Sequence, residues 1–129
     1  MPILKTVIVV DDEATMRMSF KYILQEHFRV VAFARGTEAI RYVQDNPREA
    51  YAAFVDYIMP DDLNGNEVCI ALRNIDDKIS LVGISGTDNA YFAGPLFAQM
   101  SKKYFSVEKV LETAMSAVAV AEERREARG

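Results

Sequence analysis

Thr6-Val7-Ile8-Val9-Val10-Asp11-Asp12 is the stretch that decides the fold, because a run of β-branched residues leads directly into two carboxylates. A second stretch, Tyr51-Ala52-Ala53-Phe54-Val55-Asp56, also ends in an aspartate. Short apolar runs bounded by polar residues are typical of strands that are buried on both faces of a parallel sheet. If the two strands are parallel neighbours, their three carboxylates meet at one edge of the sheet.

Three carboxylates at one place need a counter-charge, because each anion raises the energy of the others. A divalent cation or a cationic side chain would supply it. Carboxylate oxygens together with water are the ligands that Mg²⁺ prefers. The sequence therefore predicts a metal-assisted reaction at a strand-end carboxylate.

Composition limits the classes of function. The chain has 129 residues, half of them apolar, which suits one globular domain. Its net charge of −4 argues against a nucleic-acid surface, because phosphate binding depends on clustered lysine and arginine. Cys69 is the only cysteine, so an intramolecular disulfide is excluded and the reducing cytoplasm is the expected location. No uncharged apolar run reaches the roughly 18 residues of a membrane span, and the N-terminus is interpreted as a strand rather than a signal peptide.

The remaining chain alternates helical and strand-like patterns. Helices are predicted over 13–24 and 36–46, over 66–73 with Asn66 as its cap, after a cap at Asp88, and from 106 into the 120s. Further strands are predicted over 28–34, 79–84 and 100–103. Such alternation predicts an α/β fold with a parallel sheet and helices on both faces. In these folds the site lies beyond the carboxyl ends of the strands.

The residues at those strand ends resemble the receiver domains of two-component response regulators, over nearly the whole chain. The family's acidic pair is matched by Asp11-Asp12, its phospho-accepting aspartate by Asp56, its hydroxyl followed by a small residue by Ser85-Gly86, and its lysine by Lys103-Tyr104-Phe105. The resemblance implies one doubly wound (βα)5 flavodoxin-like sheet in the order 2-1-3-4-5. It also implies a receiver domain over 1–122, followed by a charged helix end or linker over 123–129.

The resemblance further implies a reaction. Asp56 would accept a phosphoryl group from a sensor histidine kinase or phosphotransfer protein, with Mg²⁺ held by Asp12, Asp56 and the backbone carbonyl of Ile58, and by Asp11 through water. Ser85 and Lys103 would contact the phosphoryl oxygens. The protein would act on a downstream output protein or domain, with a homodimer through the fourth and fifth helices as a further option. It would catalyse only its own phosphorylation and dephosphorylation.

Several residues depart from the family pattern. Lys102 precedes Lys103, and a shift of one residue would exchange their roles; Lys103 is favoured because Phe105 then takes its family position. Met100 takes the position of the usual switch aromatic, and Tyr104 replaces the usual proline. Gly94-Pro95 interrupts the fourth helical segment, which is therefore expected to be short, broken or displaced.

Two other classes of function remain open. One is a receiver-like protein-interaction module that is never phosphorylated. The other is a small Mg²⁺-dependent phosphatase-like protein or a nucleotide-binding flavodoxin-like protein. The first strand is not followed by a glycine-rich phosphate loop, which argues against nucleotide binding, and the chain is short for a phosphatase with a substrate-capping insert.

Overall fold

A computed structural model describes residues 3–60, 63–86, 92–102 and 105–127 of the chain. Within these residues the chain forms five strands and four helices. The strands are β1 (Thr6–Val10), β2 (Arg29–Phe33), β3 (Ala50–Asp56), β4 (Ser80–Ser85) and β5 (Ala98–Ser101), and the helices are α1 (Ala14–Leu24), α2 (Gly36–Asp45), α3 (Gly65–Ile75) and α4 (Val107–Glu126). None of these helices is long and apolar enough to cross a membrane.

The five strands form one parallel sheet in the order β2-β1-β3-β4-β5, which confirms the predicted topology. β1 and β3 are neighbours, and Val10 is paired with Val55. The residues that follow this pair, Asp11 and Asp56, therefore lie side by side at the carboxyl edge. On the other side of β3, Asp56 is paired with Ile84 of β4.

Helices cover both faces of the sheet, as predicted. Alternate residues of β1 belong to opposite apolar layers, because successive strand side chains point to opposite faces. Val7 and Val9 pack in the layer that α1 and α4 cover, whereas Ile8 and Val10 pack in the layer that α2 and α3 cover. Cys69 is fully buried in the second layer, where burial raises the pKa of its thiol to about 12.

The predicted cap of the third helix was wrong. Asn64, not Asn66, caps α3: its side chain accepts from the backbone N–H of Glu67, and the Glu67 carboxylate accepts from the backbone N–H of Asn64. This reciprocal pair is a capping box, which the Asn-x-x-Glu spacing could have indicated. Val107, in the first turn of α4, is exposed to solvent.

The connection between β4 and β5 departs from regular alternation. In its described part, residues 92–97, the chain is irregular and forms no helix. Asp88, the predicted cap of a helix here, lies outside the described residues. β5 then begins at Ala98, two residues before its predicted start.

The charged end of α4 packs against the amino-terminal end of β3, at the opposite end of this strand from Asp56. The Arg125 guanidinium donates to the carbonyls of Arg48 and Ala50, lies 2.9 Å from Asp76 Oδ2, and sits 4.1 Å from the centre of the Tyr51 ring. The side chains of Arg125 and Asp76 are 10% and 5% exposed. The arginine therefore ties α4 to the start of β3 and to the end of α3.

We expect Arg125→Met to lower the free energy of unfolding by about 3 kcal/mol, because it leaves the buried Asp76 carboxylate without its cation. Urea denaturation followed by circular dichroism measures the change. Arg124→Met removes the same charge from an exposed neighbour and should stay within about 0.5 kcal/mol of the wild type. Equal effects of the two substitutions would contradict the anchoring role.

Candidate functional site

The structure brings together the three carboxylates that the sequence placed at strand ends. Asp11 and Asp12 follow β1, and Asp56 is the last residue of the neighbouring β3. One carboxylate oxygen from each lies within 4.8 Å of the others. Since β1 and β3 are parallel, this convergence is a direct result of their pairing.

The three carboxylates differ in their surroundings. Asp11 and Asp56 are 0% and 3% exposed, whereas Asp12 is exposed. Asp11 Oδ1 accepts from the backbone N–H of Glu13 at 2.9 Å, and the Asp11 carbonyl accepts from Arg17 Nη1 at 2.8 Å. Asp11 Oδ2 is buried and accepts no hydrogen bond from the described protein atoms. The nearest cation to this oxygen among the described residues is the Lys102 ammonium, 3.2 Å away.

Lys102, directly after β5, places a positive charge at the cluster. Its Nζ lies 2.6 Å from Glu13 Oε1, 3.2 Å from Asp11 Oδ2 and 3.3 Å from Asp56 Oδ2. Lys103, the favoured lysine of the sequence prediction, lies outside the described residues, as does Tyr104.

Sequence reasoning missed Glu13. It follows the Asp11-Asp12 pair directly, and its carboxylate makes the shortest of the three contacts with Lys102. An acidic residue at this position is an available signal, but its role depends on where the lysine lies, which the sequence left open between two neighbours.

Burial and mutual repulsion set the protonation of these groups. Burial, with the Asp11 charge adding to it, raises the pKa of Asp56 to about 7, although Lys102 opposes the shift. Burial also raises the pKa of Asp11. Burial lowers the pKa of Lys102, but the hydrogen bond to Glu13 and the charges of Asp56 and Asp11 together raise it, so this side chain remains an ammonium.

The donor set fits a hard divalent cation. The converging oxygens all belong to carboxylates, and Asp11 Oδ2 is buried with no hydrogen bond from the described protein atoms. In the part of the chain that the structure describes, the one ammonium of Lys102 does not balance the charges of Asp11, Asp56 and Glu13. Mg²⁺ prefers such oxygen ligands together with water. The residues present therefore fit the predicted magnesium ion.

The other predicted site residues lie on neighbouring elements. Ser85 is the last residue of β4 and is partly buried, one position beyond the residue paired with Asp56. Ile58 lies two residues after Asp56 and is 53% exposed.

One known protein family matches most of the chain. The family model described as the response regulator receiver domain matches residues 7–106. No curated protein matches the chain. A response regulator receiver domain protein from Clostridium thermocellum is similar at 21% identity, covering 98% of this chain and 100% of that chain, with a TM-score of 0.79.

Two further solved structures share the fold. NtrX from Brucella abortus is 20% identical with a TM-score of 0.83, and the match covers 98% of this chain but 29% of that one. The BeF3-activated DrrB receiver domain is 18% identical with a TM-score of 0.77, covering 91% of this chain and 99% of that chain. The fold of this chain thus occurs both as a whole solved chain and within a longer protein.

We expect Asp56→Asn to stabilise the metal-free protein more at pH 8 than at pH 5. Because the pKa of Asp56 is raised to about 7 in the folded state, the folded protein binds this proton more tightly than the unfolded chain does. Stability is therefore lost as the pH rises from about 4, the unfolded value, through about 7. The asparagine variant avoids this loss, so its advantage should grow by about 2 kcal/mol between the two pH values.

Urea denaturation in EDTA at both pH values measures this difference. Glu112→Gln, which removes an exposed carboxylate from α4, is the control and should show no such growth. A pH dependence that is the same in wild type and Asp56→Asn would rule out a raised pKa at Asp56.

Proposed function

The chain belongs to the response regulator receiver domain family, and we propose that it is a receiver controlled by phosphorylation of Asp56. The phosphoryl donor would be a phosphohistidine of a sensor kinase or of a phosphotransfer protein. The observation that carries this proposal is the buried Asp56 carboxylate at a strand end, within 4.8 Å of two other carboxylates and 3.3 Å from an ammonium. Such an arrangement can present one oxygen as a nucleophile while the surrounding groups neutralise a transferred phosphoryl group.

The reaction needs positioning and charge neutralisation more than covalent help from the protein. An Asp56 oxygen would form the bond to phosphorus while the bond from phosphorus to the imidazole nitrogen breaks, and the imidazole would leave. Mg²⁺, when bound by Asp12 and Asp56 directly, with the Ile58 carbonyl, and by Asp11 through water, would neutralise phosphoryl oxygens. Asp56 must be ionised to attack, and the Lys102 charge favours that form.

We assign the phosphate-binding role to Lys102, the alternative to Lys103. Its ammonium already lies among Glu13, Asp11 and Asp56, so a short displacement would bring it to a phosphoryl group on Asp56. A charge-assisted hydrogen bond from this group would stabilise the negative oxygens. The Ser85 hydroxyl, at the end of the neighbouring β4, would donate to another oxygen.

The phosphorylated protein would act through its surface. Phosphorylation adds about two negative charges beside Ser85 and Lys102, which shifts the population between two conformations. The partner would be a downstream output protein or domain, in the cytoplasm, and the 1–122 unit would be the receiver. NtrX, in which the matched part is 29% of the chain, is consistent with receivers that are joined to other domains.

Phosphorylation by acetyl phosphate and Mg²⁺ should add one phosphoryl group to the wild type, which intact-mass spectrometry detects. The adduct should be stable in acid and labile in base, as an acyl phosphate is. Asp56→Asn should remove it, because the nucleophile is lost, and so should EDTA. Asp45→Asn, an exposed carboxylate on α2, should leave labelling unchanged.

Labelling that persists in Asp56→Asn would exclude Asp56 as acceptor. An unlabelled wild type that still binds Mg²⁺ would favour the interaction module that is never phosphorylated. Turnover of free phosphate esters would favour the phosphatase-like alternative.

Lys102→Met should slow phosphorylation by acetyl phosphate about 100-fold, because one stabilising donor to the transferring group is lost. Lys103→Met is the matched control and should change the rate less than threefold. Rates are measured by intact mass against time, with Mg²⁺ affinity determined by calorimetry to show that the metal site survives. A larger effect of Lys103→Met would return the role to Lys103.

A further inference from the structure

Residues 92–97, which we call the strap, replace regular helix in the described part of the connection before β5. The strap is attached to α3 at two points. The backbone N–H of Ala93 donates to Asn66 Oδ1 at 2.5 Å, and Arg73 Nη2 donates to the Pro95 carbonyl at 2.9 Å. The strap and α3 therefore form one continuous surface on the face of the sheet that also contains Phe92.

Two glycines allow this attachment. Gly94 has a φ of +82°, and a Cβ there would lie 2.7 Å from the Arg73 guanidinium, so a side chain at this position would displace the arginine. Gly83 of β4 lies under the Phe92 ring, and a Cβ there would approach the ring to 2.7 Å. The ring therefore rests directly on the β4 backbone without free space beneath it.

Phe92 also contacts the residue that follows Asp56. The rings of Phe92 and Tyr57 pack edge to face, with centroids 5.2 Å apart. Phe92 is 8% exposed and contacts both the Tyr57 ring and the backbone at Gly83. One side chain thus touches both the end of the strand that holds Asp56 and the strand that ends in Ser85.

The Tyr57 backbone extends this connection. Its N–H donates to the Ile84 carbonyl of β4 at 2.9 Å, and its carbonyl accepts from the N–H of Gly65, the first residue of α3, at 2.8 Å. A Cβ on Gly65 would lie 2.3 Å from the Asp56 carbonyl oxygen, so α3 begins in direct backbone contact with the site. The end of β3, the end of β4 and the start of α3 are therefore linked through Tyr57.

We propose that the strap reports the state of Asp56 through the Tyr57–Phe92 pair, so that phosphorylation changes the joint surface of the strap and α3. This inference rests on the proposed function. When Ser85 is drawn toward a phosphoryl group on Asp56, the end of β4 approaches β3, and the space between Gly83 and Tyr57 narrows. Phe92 moves outward, and the adjoining Ala93 separates from Asn66.

The residue at the family's usual switch position does not provide this link. Met100 occupies that position on β5 and packs, 7% exposed, in the layer that α1 and α4 cover. Phe92 packs in the opposite layer, beside α3. Phe92, which contacts the end of β3 through Tyr57, therefore lies on the same face of the sheet as the surface formed by the strap and α3.

Amide hydrogen exchange of the full chain, measured by NMR, tests the proposal with Mg²⁺ and beryllofluoride as the probe, the BeF3 group named for the DrrB receiver. The Ala93 amide should exchange about tenfold faster in the complex. The Phe97 amide, which donates to the Leu81 carbonyl at 2.8 Å, should change less than twofold. Unchanged exchange at Ala93 with beryllofluoride bound would overturn the proposal.

Three variants test the relay. Phe92→Leu keeps apolar volume but removes the edge contact with Tyr57, so beryllofluoride should bind, seen by ¹⁹F NMR, without the change at Ala93. Phe97→Leu, a matched change in the strap, should retain it. Gly83→Ala should push the ring outward and give fast Ala93 exchange before any beryllofluoride is added.

The outcomes separate the two proposals. A wild type that binds no beryllofluoride, with Mg²⁺ present, overturns the proposed function. If beryllofluoride binds and the faster exchange at Ala93 is as large in Phe92→Leu as in the wild type, the relay is overturned. The proposed function then still stands.

Discussion

Two buried carboxylates that share one ammonium are the constraint on which the site depends. Asp11 and Asp56 lie together because β1 and β3 are parallel and paired through Val10 and Val55. Burial and their mutual repulsion disfavour ionisation, and Lys102 offsets only part of this cost. A fold with these strand ends therefore retains an affinity for further positive charge, and a bound divalent cation would favour the ionised nucleophile.

The same pairing explains how the site reaches the rest of the molecule. Tyr57, the residue after Asp56, is hydrogen-bonded through its backbone to both α3 and β4. The described strap contains no regular helix. Instead, its Phe92 ring packs directly on the backbone of Gly83. The element beside the site therefore depends on the contacts of Phe92 with Tyr57 and Gly83.

The strand ends could be predicted because their signal is local. Apolar runs ending in aspartate define β1 and β3, and parallel pairing then fixes which carboxylates meet. The position of Lys102 could not be predicted, because adjacent lysines have the same chemistry and only the path of the chain after β5 separates them. The roles of Asn66 and Arg125 depend on partners 27 and 75 residues away, so no local pattern indicates them.

The most direct test of this account is a crystal structure of the protein with Mg²⁺ and beryllofluoride. We expect a metal ion among Asp11, Asp12 and Asp56, and beryllium bound to an Asp56 oxygen. We also expect Lys102 Nζ to have left Glu13 for a fluoride at about 2.8 Å, the distance of a charge-assisted hydrogen bond. Lys102 still paired with Glu13 while another cation contacts the fluoride, or a cluster without metal, would contradict it.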